Sequence, residues 1–201
     1  LNNPGMEGTY GGVAYNWGEN TWGNPYPSVS WSRETSNVNS GTSAQKVVIN
    51  SLGGGGTILV QDFSTAAGRT YEASVWLRSS NSVKVHFHLR RPDNWYQAGA
   101  SRTLRPGTSW QKVTIRGGFS GGTSAQFVLQ FKSTGTVWID DASLKDVTSS
   151  VSNAALANTG TIPNRYFGLH LNKLGEHNIW PGIGQGSICL YDTATTETNI
   201  E

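Results

Sequence analysis

TYEASVWLR at residues 70–78 and SVKVHFHLR at residues 82–90 alternate between apolar side chains and side chains that carry charge or form hydrogen bonds. A period of two marks a half-buried β-strand, because successive side chains leave opposite sides of the pleat. Tyr71, Ala73, Val75 and Leu77 share one face and leave Glu72, Ser74, Trp76 and Arg78 on the other. In the second run Val83, Val85, Phe87 and Leu89 oppose Lys84, His86, His88 and Arg90. Working outward, AQKVVIN (44–50), TILVQDF (57–63), WQKVTIR (110–116), AQFVLQFK (125–132) and TVWIDDASL (136–144) repeat the pattern between clusters of Gly, Ser, Asn and Pro. Seven strands joined by connections too short for crossover helices pair antiparallel. No helical period of ten or more residues precedes residue 150, so the expected fold is all-β: a sandwich of two antiparallel sheets, a jelly roll or a close relative, with a short C-terminal extension.

Composition narrows the partners. Fifteen Lys and Arg against thirteen Asp and Glu give a net charge of +2. The basic residues are scattered, so no nucleic-acid footprint is expected. No apolar run approaches the roughly 20 residues that span a bilayer, so no membrane partner is expected either. The chain opens on Leu1, which suggests a processed or trimmed N-terminus. With one cysteine, Cys189, no internal disulfide can form.

Eight tryptophans, seven tyrosines and 25 glycines leave rings to spare. Trp17, Trp22, Trp31 and Trp95 lie in stretches rich in Gly, Asn, Ser and Pro that read as loops, where a ring commonly touches a ligand. Trp110 and Trp138 adjoin strand ends and read as core. Pyranose rings stack their C–H patches on Trp and Tyr while their hydroxyls need donors and acceptors such as Gln, Asn, His and Arg. A sheet surface carrying Trp76, His86, His88, Arg90, Gln126 and Gln130, beside the Trp95–Tyr96 loop, offers both. Trp76 reads alternatively as inter-sheet packing if its strand bulges, and Trp95 and Tyr96 as loop anchors. His86 and His88 project to the same side, but with no cysteine and no third histidine nearby they read as hydrogen-bonding groups rather than metal ligands.

Carboxylates are the informative absence. A glycosidase needs two, one on each side of the scissile bond, and the strand faces carry almost none, Glu72 being the main exception. Asp140 and Asp141 are adjacent and by alternation point to opposite faces, so they cannot share a catalytic centre. Hard oxygen ligands suit calcium, and Glu7 would approach Asp140 if the N-terminal segment lies beside the last strand.

NPGMEG (3–8), SAQKVVI (43–49), GRTYEASVWLRSS (68–80), SWQKVTI (109–115) and TVWIDDASL (136–144), in that order, resemble the carbohydrate-binding modules of families 4, 9 and 22 over residues 1–147. The resemblance implies a jelly roll that binds a polysaccharide or oligosaccharide without cutting it, targeting a secreted, bacterial glycoside hydrolase to plant-type polysaccharide. It also implies a structural Ca2+ near the termini, held by Glu7, a main-chain oxygen near Lys46, and Asp140. Residues 148–163 read as a linker with one short helical turn at 153–157. From residue 164 to 201 the sequence, with expected strands at 166–172 and 187–192, is similar to the opening of the catalytic barrel of family 39 glycosidases, with Cys189 and Tyr191 where those carry Arg and Trp. A complete barrel takes about 250 residues, so this chain would hold its start and no catalytic pair, with the downstream catalytic domain as a partner. The alternatives are a fragment of an active glycoside hydrolase and a structural sandwich without a sugar ligand.

Overall fold

The computed structural model describes residues 1–93 and 97–148. The chain divides into two compact units, Leu1–Ala154 and Ala155–Glu201, and all the described residues belong to the first. The expected helical turn at 153–157, the strands at 166–172 and 187–192, and Trp95 and Tyr96 lie outside the described residues.

The first unit is a β-sandwich of the jelly-roll kind. Its strands are β1 (Tyr10–Gly11), β2 (Val13–Ala14), β3 (Gly18–Trp22), β4 (Ser28–Glu34), β5 (Ala44–Ser51), β6 (Gly56–Ser64), β7 (Thr70–Ser79), β8 (Val85–Arg90), β9 (Gln97–Leu104), β10 (Gln111–Gly118), β11 (Ser124–Phe131) and β12 (Gly135–Asp146). One five-stranded sheet runs β10-β7-β12-β5-β4, the other β3-β6-β11-β8-β9, and β1 and β2 form a small ribbon. Every pairing is antiparallel.

The seven expected strands are all present, with the run at 82–90 starting at Val85. Strands β3, β4 and β9 and the ribbon are additional, and their sequences explain why they do not announce themselves. All three close an edge of a sheet. An edge strand buries less side-chain area than a central one, so GENTW and QAGASRTL carry little apolar patterning.

Alternation assigns the inner faces correctly. Leu59, Phe87, Leu89, Phe127, Leu129 and Phe131 from one sheet meet Val47, Ile49, Ala73, Val75, Leu77, Val137 and Ile139 from the other in one buried cluster. Large side chains predominate on one inner face and smaller or β-branched ones on the other, which lets the two faces interdigitate. Phe127 packs against Phe87 with ring centroids 4.8 Å apart and against Trp17 edge-on at 5.6 Å.

Two of the tryptophans read as loop residues are therefore structural. Trp17 is buried in the core and donates its indole N–H to the Asn3 carbonyl at 2.9 Å. Trp31 lies in β4 and packs edge-on against Phe131 at 5.8 Å. The converse holds for Trp138, read as core. It stands half-buried on the outer face of the first sheet, between Arg78 and Lys46, with its N–H on Glu34. Trp110 is likewise half-buried and outside the core cluster.

Buried amides tie the N-terminal segment to the sandwich. Gln45 accepts the N–H of Ala14 and donates to the carbonyls of Gly12, Ser32 and Lys46. Gln61 accepts the N–H of Asn2 and donates to the carbonyls of Asn2 and Asn16. The glycine run at 53–56 has a comparable role at the other end. A Cβ on Gly55 would sit 1.7 Å from the Trp22 carbonyl oxygen, so the loop after β3 closes only against bare backbone.

Candidate functional site

The outer face of the β3-β6-β11-β8-β9 sheet collects most of the residues expected to meet a ligand. The register places them in transverse rows. Asn20, Ile58, Gln130, His86 and Thr103 form the first row, Gly18, Val60, Val128, His88 and Ser101 the second, and Asp62, Gln126, Arg90 and Gln97 the third. His86, His88, Arg90, Gln126 and Gln130 thus share one surface because β8 and β11 are neighbours in phase.

Trp76 does not belong to that surface. It lies on β7, in the other sheet, opposite Lys112 on one side and Asp140 on the other. Alternation tells which side of its own strand a residue takes, not which sheet the strand joins, and β7 and β8, adjacent in sequence, enter different sheets. Its companions Glu72 and Arg78 are on the same far side: Glu72 pairs with Arg116, and Arg78 donates to Asn37 at 2.6 Å.

Hydrogen bonds organise the rows. Arg90 donates its Nε–H to Gln126 Oε1 at 2.8 Å, and Gln126 passes its amide N–H to Asp62 at 2.8 Å. In the first row His86 Nδ1 is 2.9 Å from Thr103 Oγ1. The two imidazoles stack at 4.6 Å between centroids with a tilt of 32°. His88 is buried and its Nδ1 has no hydrogen-bond partner among the described residues. Burial, helped by the charge of Arg90 and by His86, lowers its pKa to about 4, and burial followed by Lys132 lowers that of His86. Both rings are therefore neutral at pH 7, able to accept as well as donate.

Apolar side chains share the rows with these polar ones. Ile58 and Val128 are buried, yet they project on the outer side of the sheet and lie outside the inter-sheet core cluster. Beside them a depression of about 360 Å3 is lined by Lys84, His86, Thr103, Gln130 and Lys132. Alternation had already put Lys84 and Lys132 on this face, although neither was singled out. Thr103 and Asn20 escaped notice because β9 and β3 were not legible. Trp22, 38% exposed, ends β3 at the margin of the same sheet.

A second cluster forms where the N-terminal segment meets β12. Glu7 accepts the Thr42 N–H at 2.8 Å, the Thr42 hydroxyl at 2.6 Å and the Ser43 hydroxyl at 3.0 Å, and the Thr42 hydroxyl foremost holds its carboxyl at about 2. Asp140 accepts the N–H groups of Asn39, Ser40 and Asp141 at 2.8, 3.2 and 2.8 Å. It is fully buried, and burial raises its carboxyl to about 6. Asp141 corrects the alternation argument. A bulge between Asp140 and Ser143, with Asp141 at φ 45°, turns both carboxylates to the same loop, where Asp141 accepts from Asn39 Nδ2 and the Ser40 hydroxyl.

Lys46 lies on β5. Its ammonium lies 3.6 Å from Glu34 over the Trp138 ring, and its carbonyl accepts the Gln45 amide. Among the described residues no three His, Cys, Asp or Glu side chains are placed to share one ion. A cation in the second cluster would draw on main-chain and hydroxyl oxygens besides Glu7 and Asp140, a donor set that calcium accepts.

No family model matches the chain, and no curated protein matches it. Solved structures do. TmCBM61, solved in complex with β-1,4-galactotriose, is similar at a TM-score of 0.54 and 18% identity, over 73% of this chain and 97% of that one. The CBM22-1 xylan-binding domain from Paenibacillus barcinonensis Xyn10C is similar at 0.50 and 12% identity, over 71% of this chain and 91% of that one. The enzymatically active domain of bacteriophage CBA120 tailspike protein 4 also matches, at 0.50 and 12% identity, over 66% of this chain and 19% of that one. At these identities the likeness is one of fold: the first unit shares a β-sandwich with these domains.

Proposed function

We propose that the outer face of the β3-β6-β11-β8-β9 sheet binds a saccharide chain. The observation that carries this reading is the composition of the face: the hydrogen-bonding side chains of His86, His88, Arg90, Gln126 and Gln130 gathered on two neighbouring strands, with half-buried Val60 in the same rows. A sugar's hydroxyls need such donors and acceptors, and its C–H patches need an apolar contact. Asp62 is the carboxylate that the rows contain, and the Gln126 amide occupies it. Among the described residues paired acid chemistry has no second member in these rows, which favours binding over hydrolysis. The two modules of like fold, one in complex with galactotriose and one a xylan-binding domain, support the same reading.

Affinity electrophoresis in gels containing polysaccharide tests it. Gln130→Ala and His86→Ala are each expected to weaken retention by about fivefold, the worth of one hydrogen bond near 1 kcal/mol, with little change in melting temperature. Trp76→Ala, on the other sheet, should leave retention unchanged. If Trp76→Ala weakens binding and the β8 and β11 variants do not, the site lies on the opposite face.

The context we propose is attachment to a catalytic domain of a secreted hydrolase, where deleting the module would lower activity on insoluble but not on soluble polysaccharide. We also propose a structural Ca2+ held by Glu7, Asp140 and oxygens of the 39–43 loop. The full burial of the Asp140 carboxylate, which no Lys or Arg pairs among the described residues, supports it.

A further inference from the structure

The depression at one end of the binding face has a charge character that the rows around it lack. Its lining consists of Lys84, His86, Thr103, Gln130 and Lys132: two ammonium groups, three hydrogen-bonding side chains and no carboxylate. The β11–β8 register runs to Phe131 opposite Val85, and the Lys132 N–H donates to the Lys84 carbonyl at 2.7 Å. The two lysines therefore face one another one residue beyond the paired ends of β8 and β11. Like charges in that position destabilise a sheet. Neither ammonium makes an ion pair among the described residues. Asp62, the carboxylate of this face, stands opposite Gln126, four residues along β11 from Gln130. At about 3.4 Å per residue it is roughly 14 Å away, beyond the screening length of about 8 Å in physiological salt.

We propose that this depression receives the anionic group of an acidic sugar residue, so that the ligand of the face is a polysaccharide bearing carboxylates or sulfate esters. The inference rests on the sugar-binding reading above and specifies its ligand class. Lys84 and Lys132 flank the anion and relieve their mutual repulsion, while Gln130 and Thr103 are placed to meet the neighbouring hydroxyls. A neutral glycan would leave the two cations opposed and unmatched.

The test uses the full chain in affinity gels at low ionic strength. The gels contain polygalacturonate, alginate, carrageenan, neutral galactan, neutral xylan or, as a polyanion without sugar, polyglutamate. Retention is expected on at least one acidic glycan, and carboxylated against sulfated gels identify the anion. The exposed pair Lys84→Gln/Lys132→Gln should lower that retention about tenfold, 0.5 M NaCl should weaken it similarly, and Lys84→Arg/Lys132→Arg should largely restore it. Retention on neutral gels alone, unchanged in the double Gln variant, overturns this inference and leaves the sugar-binding reading standing. Equal retention on polyglutamate overturns it as unspecific ion exchange, and retention on no gel overturns both.

Discussion

Lowering the pH from 6.5 towards 4 is expected to remove roughly 3 kcal/mol of folding stability through one side chain, His88. Its folded pKa is about 4 against 6.5 for an unburdened histidine, because burial withholds solvent from the imidazolium and Arg90 repels it. The unfolded chain then binds the proton more readily than the folded one. Stability is accordingly complete above pH 6.5, declines as the pH falls through the interval, and stays low below 4. A gap of 6.5 minus 4, at about 1.4 kcal/mol per pH unit, sets the size. That is a large share of the 5–15 kcal/mol typical of a whole domain.

The unpartnered Nδ1 of His88 makes the same point structurally, since a charged ring would find no acceptor there. Glu7 and Glu34, both held near 2, act in a lower window, below 4.5. Asp140 without a cation acts in the opposite sense between 3.8 and 6. The informative quantity is therefore the difference between wild type and His88→Gln, in which Asp140 cancels. Urea unfolding followed by tryptophan fluorescence at pH 7, 5.5 and 4.5 should show that difference shrinking with acid. A difference that does not vary with pH would mean that His88 titrates normally.

The second large effect concerns Asp140. If calcium binds at the Glu7–Asp140 corner, a thousandfold excess of the ion over its Kd adds about 4 kcal/mol to the stability of the wild type, and chelation removes it. Asp140→Asn separates the ion from the fold. In chelator the amide relieves a buried charge but sets its NH2 against N–H donors that the carboxylate accepts, so the two effects oppose and the variant should melt close to the wild-type temperature near pH 7. With calcium it should gain nothing. An equal calcium shift in both proteins would place the ion elsewhere, and a shift in neither would leave Asp140 held by the N–H groups of Asn39, Ser40 and Asp141 alone.

The residues carried by β8 and β11 show how far pattern reading extends. Their strict alternation placed His86, His88, Gln126 and Gln130 on the solvent side, and the register confirms that they are neighbours. Two kinds of information were missing from the pattern. Edge strands β3 and β9 bury too little to show a period, so Asn20 and Thr103 were invisible. Backbone irregularity was also hidden: the bulge after Asp140 reverses the side that Asp141 takes.

Alternation in the central strands determined, without any coordinates, that this chain folds as a two-sheet sandwich and which side chains fill it, because burial of one face is a local requirement that each strand meets alone. Partition of the strands between the sheets was settled by tertiary structure. Pairing partners are chosen by contacts far apart in sequence, so only the fold could move Trp76 to the far sheet, bring Lys84 opposite Lys132, and gather Glu7 and Asp140 about one loop.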